Sequence, residues 1–143
     1  MKTTANQTWY TLPLVASDLH ECAELDYYYA HDAKDSDELL ALMRPVRTVG
    51  QKLLNLDDGH IDAYVLYEPH RGFLSVSRLV FSTEDAGHAL CRMLQQKGRS
   101  LVEVIVDEYD LRTQKLLQRN GFRWFSTARG EQSDLYLMRW IEK

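Results

Sequence analysis

The run Leu101-Val102-Glu103-Val104-Ile105-Val106, with a helical pattern on either side of it, constrains the fold more than any other stretch of the chain. Near-continuous apolar sequence of strand length is what a central strand covered on both faces requires. Before it, Ser82 reads as the N-cap of a helix carrying Ala86, Ala89, Leu90, Met93 and Leu94 on one face, closed by Gly98. After it, Asp110 caps a shorter helix through Leu111, Leu116 and Leu117, which Asn120-Gly121 stops.

The remaining segments fall into a compatible order. Trp9–Val15 reads as a first strand. Asp18 with Glu21, and Asp35 with Glu38, are capping-box signals opening two helices, the second ended by Pro45. Leu53–Leu56, the turn Asp57-Asp58-Gly59 and Ile61–Tyr67 read as a hairpin, with Ile61, Ala63, Val65 and Tyr67 alternating against Asp62, Tyr64 and Leu66. His70-Arg71-Gly72 turns the chain into Phe73–Phe81, and Phe122–Ser126 with Leu135–Ile141 form a terminal hairpin. This order predicts an α/β fold of the α+β type: a mixed central sheet with helices on both faces.

At 143 residues the chain has the size of a single domain, residues 1–143, and 45% hydrophobic content supplies one core. There is no internal repeat or linker. A formal charge of −4 with no Lys/Arg block argues against nucleic acid as a partner. Residues 1–7 lack an apolar export signal and no run reaches membrane-spanning length, so the expectation is a soluble cytoplasmic protein without a membrane partner. Cys22 and Cys91 stand apart from each other and from any Cys/His cluster, so no disulfide is expected.

Two segments, within a similarity running roughly from Leu53 to Trp140, resemble the GNAT-type N-acetyltransferases. One is Val80-Phe81-Ser82-Thr83-Glu84-Asp85-Ala86-Gly87-His88-Ala89, spaced like the family's Gln/Arg-x-x-Gly-x-Gly/Ala loop. The other is Val104-Ile105-Val106, then Asp110 to Asn120, then Gly121-Phe122. The resemblance implies acetyl-CoA as co-substrate, with Glu84, Asp85, Ala86, Gly87, His88 and Ala89 around its pyrophosphate. It also implies Ser77, Leu79 and Phe81 beside the pantetheine arm, and Asp110 where the family has Asn. A helix N-terminus suits an anion because its first N–H groups are unpaired and its dipole is positive there.

The chain departs from the family pattern at three places. Glu84 stands where the family has Gln or Arg, with Asp85 beside it, and both also serve as ordinary first-turn acids. Leu117 replaces the Tyr that protonates the leaving thiolate. Tyr109 is then the candidate acid, while Glu68 and His70 are candidate bases for an amine.

Other groupings carry less. His20 and Glu24 share a helix face, but with no third ligand they read as a polar i,i+4 pair, and no metal site is expected. His31, Asp32, Asp35 and Asp37 read as an acidic loop and cap. Tyr27-Tyr28-Tyr29 lies where the family lines its acceptor groove, or places one or two rings in the core. Phe122, Trp124, Phe125 and Trp140 make the terminal hairpin apolar, and an outer face of that kind suits a homodimer. Two functions remain open: transfer of an acetyl group to a small-molecule or peptide amine, and a non-catalytic module of the same fold that binds a protein or senses an acyl-CoA.

Overall fold

The most apolar strand sequences occupy the middle of the sheet. A computed structural model describes residues 9–98 and 100–142; residues 1–7, read above for an export signal, lie outside them. The elements are β1 (Trp9–Pro13), a 3₁₀ turn (Ala16–Asp18), α1 (Leu19–Tyr29), α2 (Ser36–Met43), β2 (Val49–Asn55), β3 (Ile61–His70) and β4 (Phe73–Phe81). After these come α3 (Glu84–Gly98), β5 (Leu101–Asp107), α4 (Leu111–Arg119), β6 (Arg123–Ala128) and β7 (Leu135–Ile141). The strands form a seven-stranded sheet in the order β1-β2-β3-β4-β5-β7-β6. All neighbours pair antiparallel except β4 and β5, which α3 joins as a parallel crossover.

Alternation along β3 divides the core between the two faces. Ala63, Val65 and Tyr67 join Leu90, Leu94, Leu116, Leu117 and Phe122 beneath α3 and α4. Tyr64 and Leu66 pack with Leu19, Cys22, Leu25 and Leu39 beneath α1 and α2. Both faces of β3 are therefore covered, as its doubled pattern requires. In β5 the pattern alternates: Val102, Val104 and Val106 join the first cluster while Leu101, Glu103 and Ile105 are half-buried, so the expectation of a strand covered on both faces does not hold there.

The two capping-box signals have different outcomes. Asp35 accepts from the Glu38 amide at 2.8 Å and Glu38 returns the bond to the Asp35 amide at 3.0 Å. Asp18 does not cap α1. Its carboxylate holds Lys52 on β2 at 2.8 Å, and Glu21 reaches the Ile61 amide at 2.7 Å. Tertiary partners outcompete the local cap there, and the 3₁₀ turn leads into α1 instead. The cap of α3 likewise falls one residue later than expected: Thr83 Oγ1 accepts from the Ala86 amide at 3.1 Å, while Ser82 bonds the Asp62 carbonyl.

Asp26, on α1 and fully buried, ties that helix to the sheet. It accepts from the Tyr64 hydroxyl at 2.5 Å, from the Arg78 guanidinium, and from the Lys34 amide at 3.0 Å. Burial pushes the Tyr64 phenol far above its usual range, so it stays a neutral donor. Arg78 also donates to the Asp32 carbonyl at 2.6 Å. The loop after α1 is thereby fixed over β4.

Candidate functional site

Pairing between β4 and β5 ends at Val76 and Val104, although both strands continue, to Phe81 and Asp107. The cause lies on the other side of β4. Tyr67 pairs with Val76 and Leu66 with Arg78, leaving Ser77 as an extra residue. A bulge of this kind bends its strand and re-aims the backbone. Beyond it the two strands splay, opening a cavity of about 270 Å³ walled by Ser77–Phe81 and Val104–Asp107 and closed at its rim by Tyr29, His31, Asp110 and Arg112.

Arg112 lies across this cleft. Its guanidinium donates to the Phe81 carbonyl at 2.8 Å, the Ser82 carbonyl at 3.0 Å and the Tyr29 carbonyl at 3.4 Å. It also stacks over the Phe81 ring, 4.0 Å from the centroid. No carboxylate pairs with it among the described residues.

At the end of β5, His31 Nε2 lies 3.5 Å from Asp107 Oδ1. Asp107 also accepts from the Ser133 hydroxyl and from the Tyr109 amide at 2.8 Å. The Ser133 hydrogen bond, then the Tyr109 amide and His31, hold the Asp107 carboxyl below its usual range against the opposing effect of desolvation. A folded-state pKa below the unfolded one means that the unfolded chain binds more protons. The resulting stability is fully present above the ordinary carboxylate value of about 3.9 and is lost as pH falls through the folded value. Ser133→Ala is expected to raise the pH at which the protein unfolds in acid, read as urea midpoints from about pH 7 downward.

The expected site residues divide into three groups. Ser77, Leu79, Phe81 and Asp110 line the cleft, Asp110 with its carboxylate capping the Thr113 amide at 3.1 Å. The segment from Glu84 to Ala89 does not line it. Glu84 pairs with Arg119 and with His88 at 3.4 Å, and the Arg119 hydrogen bond holds its carboxyl below the usual range. Asp85 belongs with Glu84 to the first turn of α3, and Ala89 packs at the edge of the core. His88 meets Asn120 at 2.7 Å. Ala86 and Gly87 are inside the helix, their amides bonded to Thr83 Oγ1 at 3.1 Å and the Thr83 carbonyl at 3.0 Å.

Gly87 has a packing explanation. A Cβ there would lie 2.8 Å from Leu116 Cδ1 and 3.0 Å from the Phe81 ring, so the glycine lets α3 seat against α4 and β4. Gly87→Val is expected to cost about 1–3 kcal/mol by overpacking, seen as a lower urea midpoint with or without any ligand.

The structure does not bring the candidate catalytic residues together. Glu68 and His70 form a 3.0 Å pair beside Ser75 and Phe73, at the end of β4 away from the splay. Tyr109 is exposed and lines a second, adjoining depression with His31, Asp107 and Ser133. Leu117, at the position of the family's acid, is fully buried. Burial raises both free thiols, Cys22 and Cys91, to about 12, so neither is a nucleophile. Tyr27, Tyr28 and Tyr29 are all exposed rather than partly in the core. Among the described residues no group of three or more ligating side chains gathers for a metal, and no helix is long and apolar enough to cross a membrane.

The sheet order and the splay define the fold of the GNAT acetyltransferases. No protein-family model and no curated protein sequence matches the chain. Among solved structures, it is similar to the ribosomal-protein-S18-alanine N-acetyltransferase of Escherichia coli, at 12% identity and TM-score 0.69 over 93% of both chains. A probable GNAT-family acetyltransferase of Chromobacterium violaceum matches at 16% identity and TM-score 0.72, over 94% of this chain and 83% of that one. A variant of the spermidine N-acetyltransferase of Vibrio cholerae matches at 13% identity and TM-score 0.66, over 94% of both. At these identities the likeness is one of fold.

The cleft is lined by both apolar and charged groups. Strand backbone, Leu79, Val80, Val104 and Ile105 meet Asp32, Arg78, Asp107 and Arg112 there, and its volume matches a slender chain more than a whole dinucleotide-sized ligand. The start of α3, by contrast, offers two carboxylates, with the Ala86 and Gly87 amides bonded to Thr83.

Proposed function

We propose that this protein is an acyl-CoA-dependent N-acyltransferase, acting on an amine with acetyl-CoA as the donor. The observation that supports the reading is the splay of β4 from β5 at the Ser77 bulge, which frees strand backbone along a narrow cleft. When bound, the donor supplies a thioester carbonyl. The backbone of Ser77–Leu79 would position it, and alignment of this kind is worth about 7–11 kcal/mol in favourable cases. Arg112 would meet phosphate in place of the family's loop, since Arg78 is committed to Asp26. The acceptor would enter from the side of Tyr29 and His31. Two free buried cysteines suit a cytoplasmic setting.

The test is release of coenzyme A thiol from acetyl-CoA by the purified protein with primary amines. Spermidine and a peptide beginning with alanine are the first two, since similar folds act on them. Thiol release that depends on the amine supports the reading; none with any primary amine counts against it.

A second reading, a non-catalytic module, draws on the occupied amide of Gly87 and on the buried Leu117. It is distinguished by acyl-CoA binding without turnover, or by no binding at all.

A further inference from the structure

His31 sits in the cleft with its partners fixed from several sides. Its loop is held by Arg78 on the Asp32 carbonyl at 2.6 Å and by Asp26 on the Lys34 amide at 3.0 Å. Asp107 is clamped by Ser133 and the Tyr109 amide. The Ser133 loop is itself tied to the end of β5, Glu108 donating to the Asp134 carbonyl at 3.0 Å and Asp134 to Glu108 Oε2 at 2.6 Å. Gly130 makes that loop possible, because a Cβ there would lie 2.1 Å from the Ser133 carbonyl oxygen. The imidazole is 39% exposed, borders both the cleft and the adjoining depression, and makes no side-chain hydrogen bond through Nδ1 among the described residues. A histidine backed by a fixed carboxylate, with its other nitrogen open to a cleft, is the arrangement proton transfer needs.

We propose that His31, oriented by Asp107, carries the proton of the transfer reaction, taking it from the attacking amine and returning it to the departing sulfur. This assignment rests on the acyltransferase reading. The amine nitrogen forms the new bond to the thioester carbonyl carbon and the carbon–sulfur bond breaks. The proton lost by nitrogen ends on the thiolate by way of the ring, which returns to its starting state without any further reactant. One group serves both steps because Leu117 is buried aliphatic and Tyr109 faces solvent. Asp107 stabilises the imidazolium formed in between.

The groups facing the ring keep it in this role. Asp32, Asp107 and Glu131 border it on the acidic side. Of the cations, Arg78 is paired with Asp26 and Arg112 is turned to the β4-end carbonyls. Asp110 is occupied as a helix cap, and Tyr29 and Tyr109 are phenols at the rim. Lys34 pairs with Asp32 at 3.0 Å, which leaves Asp107 and Glu131 as the carboxylates that draw a positively charged substrate toward the cleft.

The first test uses the free protein. In a chain labelled with ¹⁵N-histidine, the His31 ring nitrogen signals should move in Asp107→Asn while those of His88 stay in place. Unmoved His31 signals overturn the role of Asp107. The second test uses acetyl-CoA with spermidine and with the alanine peptide. His31→Gln should lower kcat by about 100-fold or more. It should also remove the acid limb of kcat/KM, and leave acetyl-CoA affinity and melting temperature unchanged. Added imidazole should restore part of the rate of His31→Ala. A loss below about tenfold with the acid limb retained overturns the assignment of His31 alone. Failure of the unmodified protein to bind acetyl-CoA, or to release thiol with either amine, overturns the acyltransferase reading and the assignment with it.

Discussion

Asp26→Ala is expected to lower the unfolding free energy by about 3–5 kcal/mol, a large share of the roughly 5–15 kcal/mol by which such domains are stable. The cost follows from what the substitution leaves behind. Arg78 keeps its charge at 12% side-chain exposure, and the buried Tyr64 hydroxyl loses its carboxylate acceptor. Stranding a desolvated charge costs more than the pair contributes when intact, because the desolvation was offset only by the partner. Two further variants separate this from simple loss of volume. Asp26→Asn keeps the shape and loses the charge, and should be nearly as destabilised. Combined with Arg78→Leu, it should recover part of the loss, giving a strongly non-additive cycle in urea unfolding. Losses for Asp26→Ala below about 1 kcal/mol would mean that the network is not closed as described.

Arg112→Glu is expected to weaken acetyl-CoA binding by at least about tenfold, or 1.4 kcal/mol. In the ligand-free protein the guanidinium rests on neutral acceptors, the Phe81 and Ser82 carbonyls. Exchanging these for phosphate oxygens pairs the guanidinium with an opposite charge, which a neutral carbonyl does not offer. Glutamate reverses that gain and adds a third carboxylate near Glu84 and Asp85 at the start of α3. Arg112→Gln should fall between the two. The difference between the unmodified protein and Arg112→Gln should shrink as salt is raised, because the arginine contribution is electrostatic. Equal affinity for all three proteins would remove Arg112 from the ligand's path.

Much of the scaffold was legible because its signals are local. Gly72, at φ +86, ends one strand and starts the next, and the predicted Phe73–Phe81 has the bounds of β4. Leu135–Ile141 matches β7 in the same way. Where long-range partners intervene, the pattern misled. Asp18-x-x-Glu21 and Asp35-x-x-Glu38 have the same spacing, yet Lys52 and the Ile61 amide claim the first pair. The start of β2 at Val49 was missed because Gly50 reads as punctuation. It is in fact a close approach, with a Cβ there only 3.0 Å from Leu14.

The cleft was legible along β4 and at the Asp110 cap. Ser77, Leu79 and Phe81 follow from the position of β4, but the bulge that opens the cleft has no Gly or Pro to announce it. His31, Asp107, Arg112 and Ser133 come from four separate segments, and no spacing rule links them. His31-Asp32 after the first predicted helix was the available signal for one of them. Glu68 and His70 lie near the β4 turn in chain order, but the β3–β4 hairpin carries them away from the splay. Gly87 fitted a loop by spacing, while its surroundings make it a helix-packing residue.

The central claim is that the cleft between β4 and β5 binds an acyl-CoA. Calorimetric titration of the unmodified protein with acetyl-CoA at modest ionic strength tests it most directly. The account predicts saturable binding with a micromolar Kd, corresponding to about −8 kcal/mol, and loss of at least about tenfold in Arg112→Glu at unchanged folding. Absence of heat, together with no rise in melting temperature at millimolar acetyl-CoA, would contradict it, because a ligand specific for the folded state must stabilise that state.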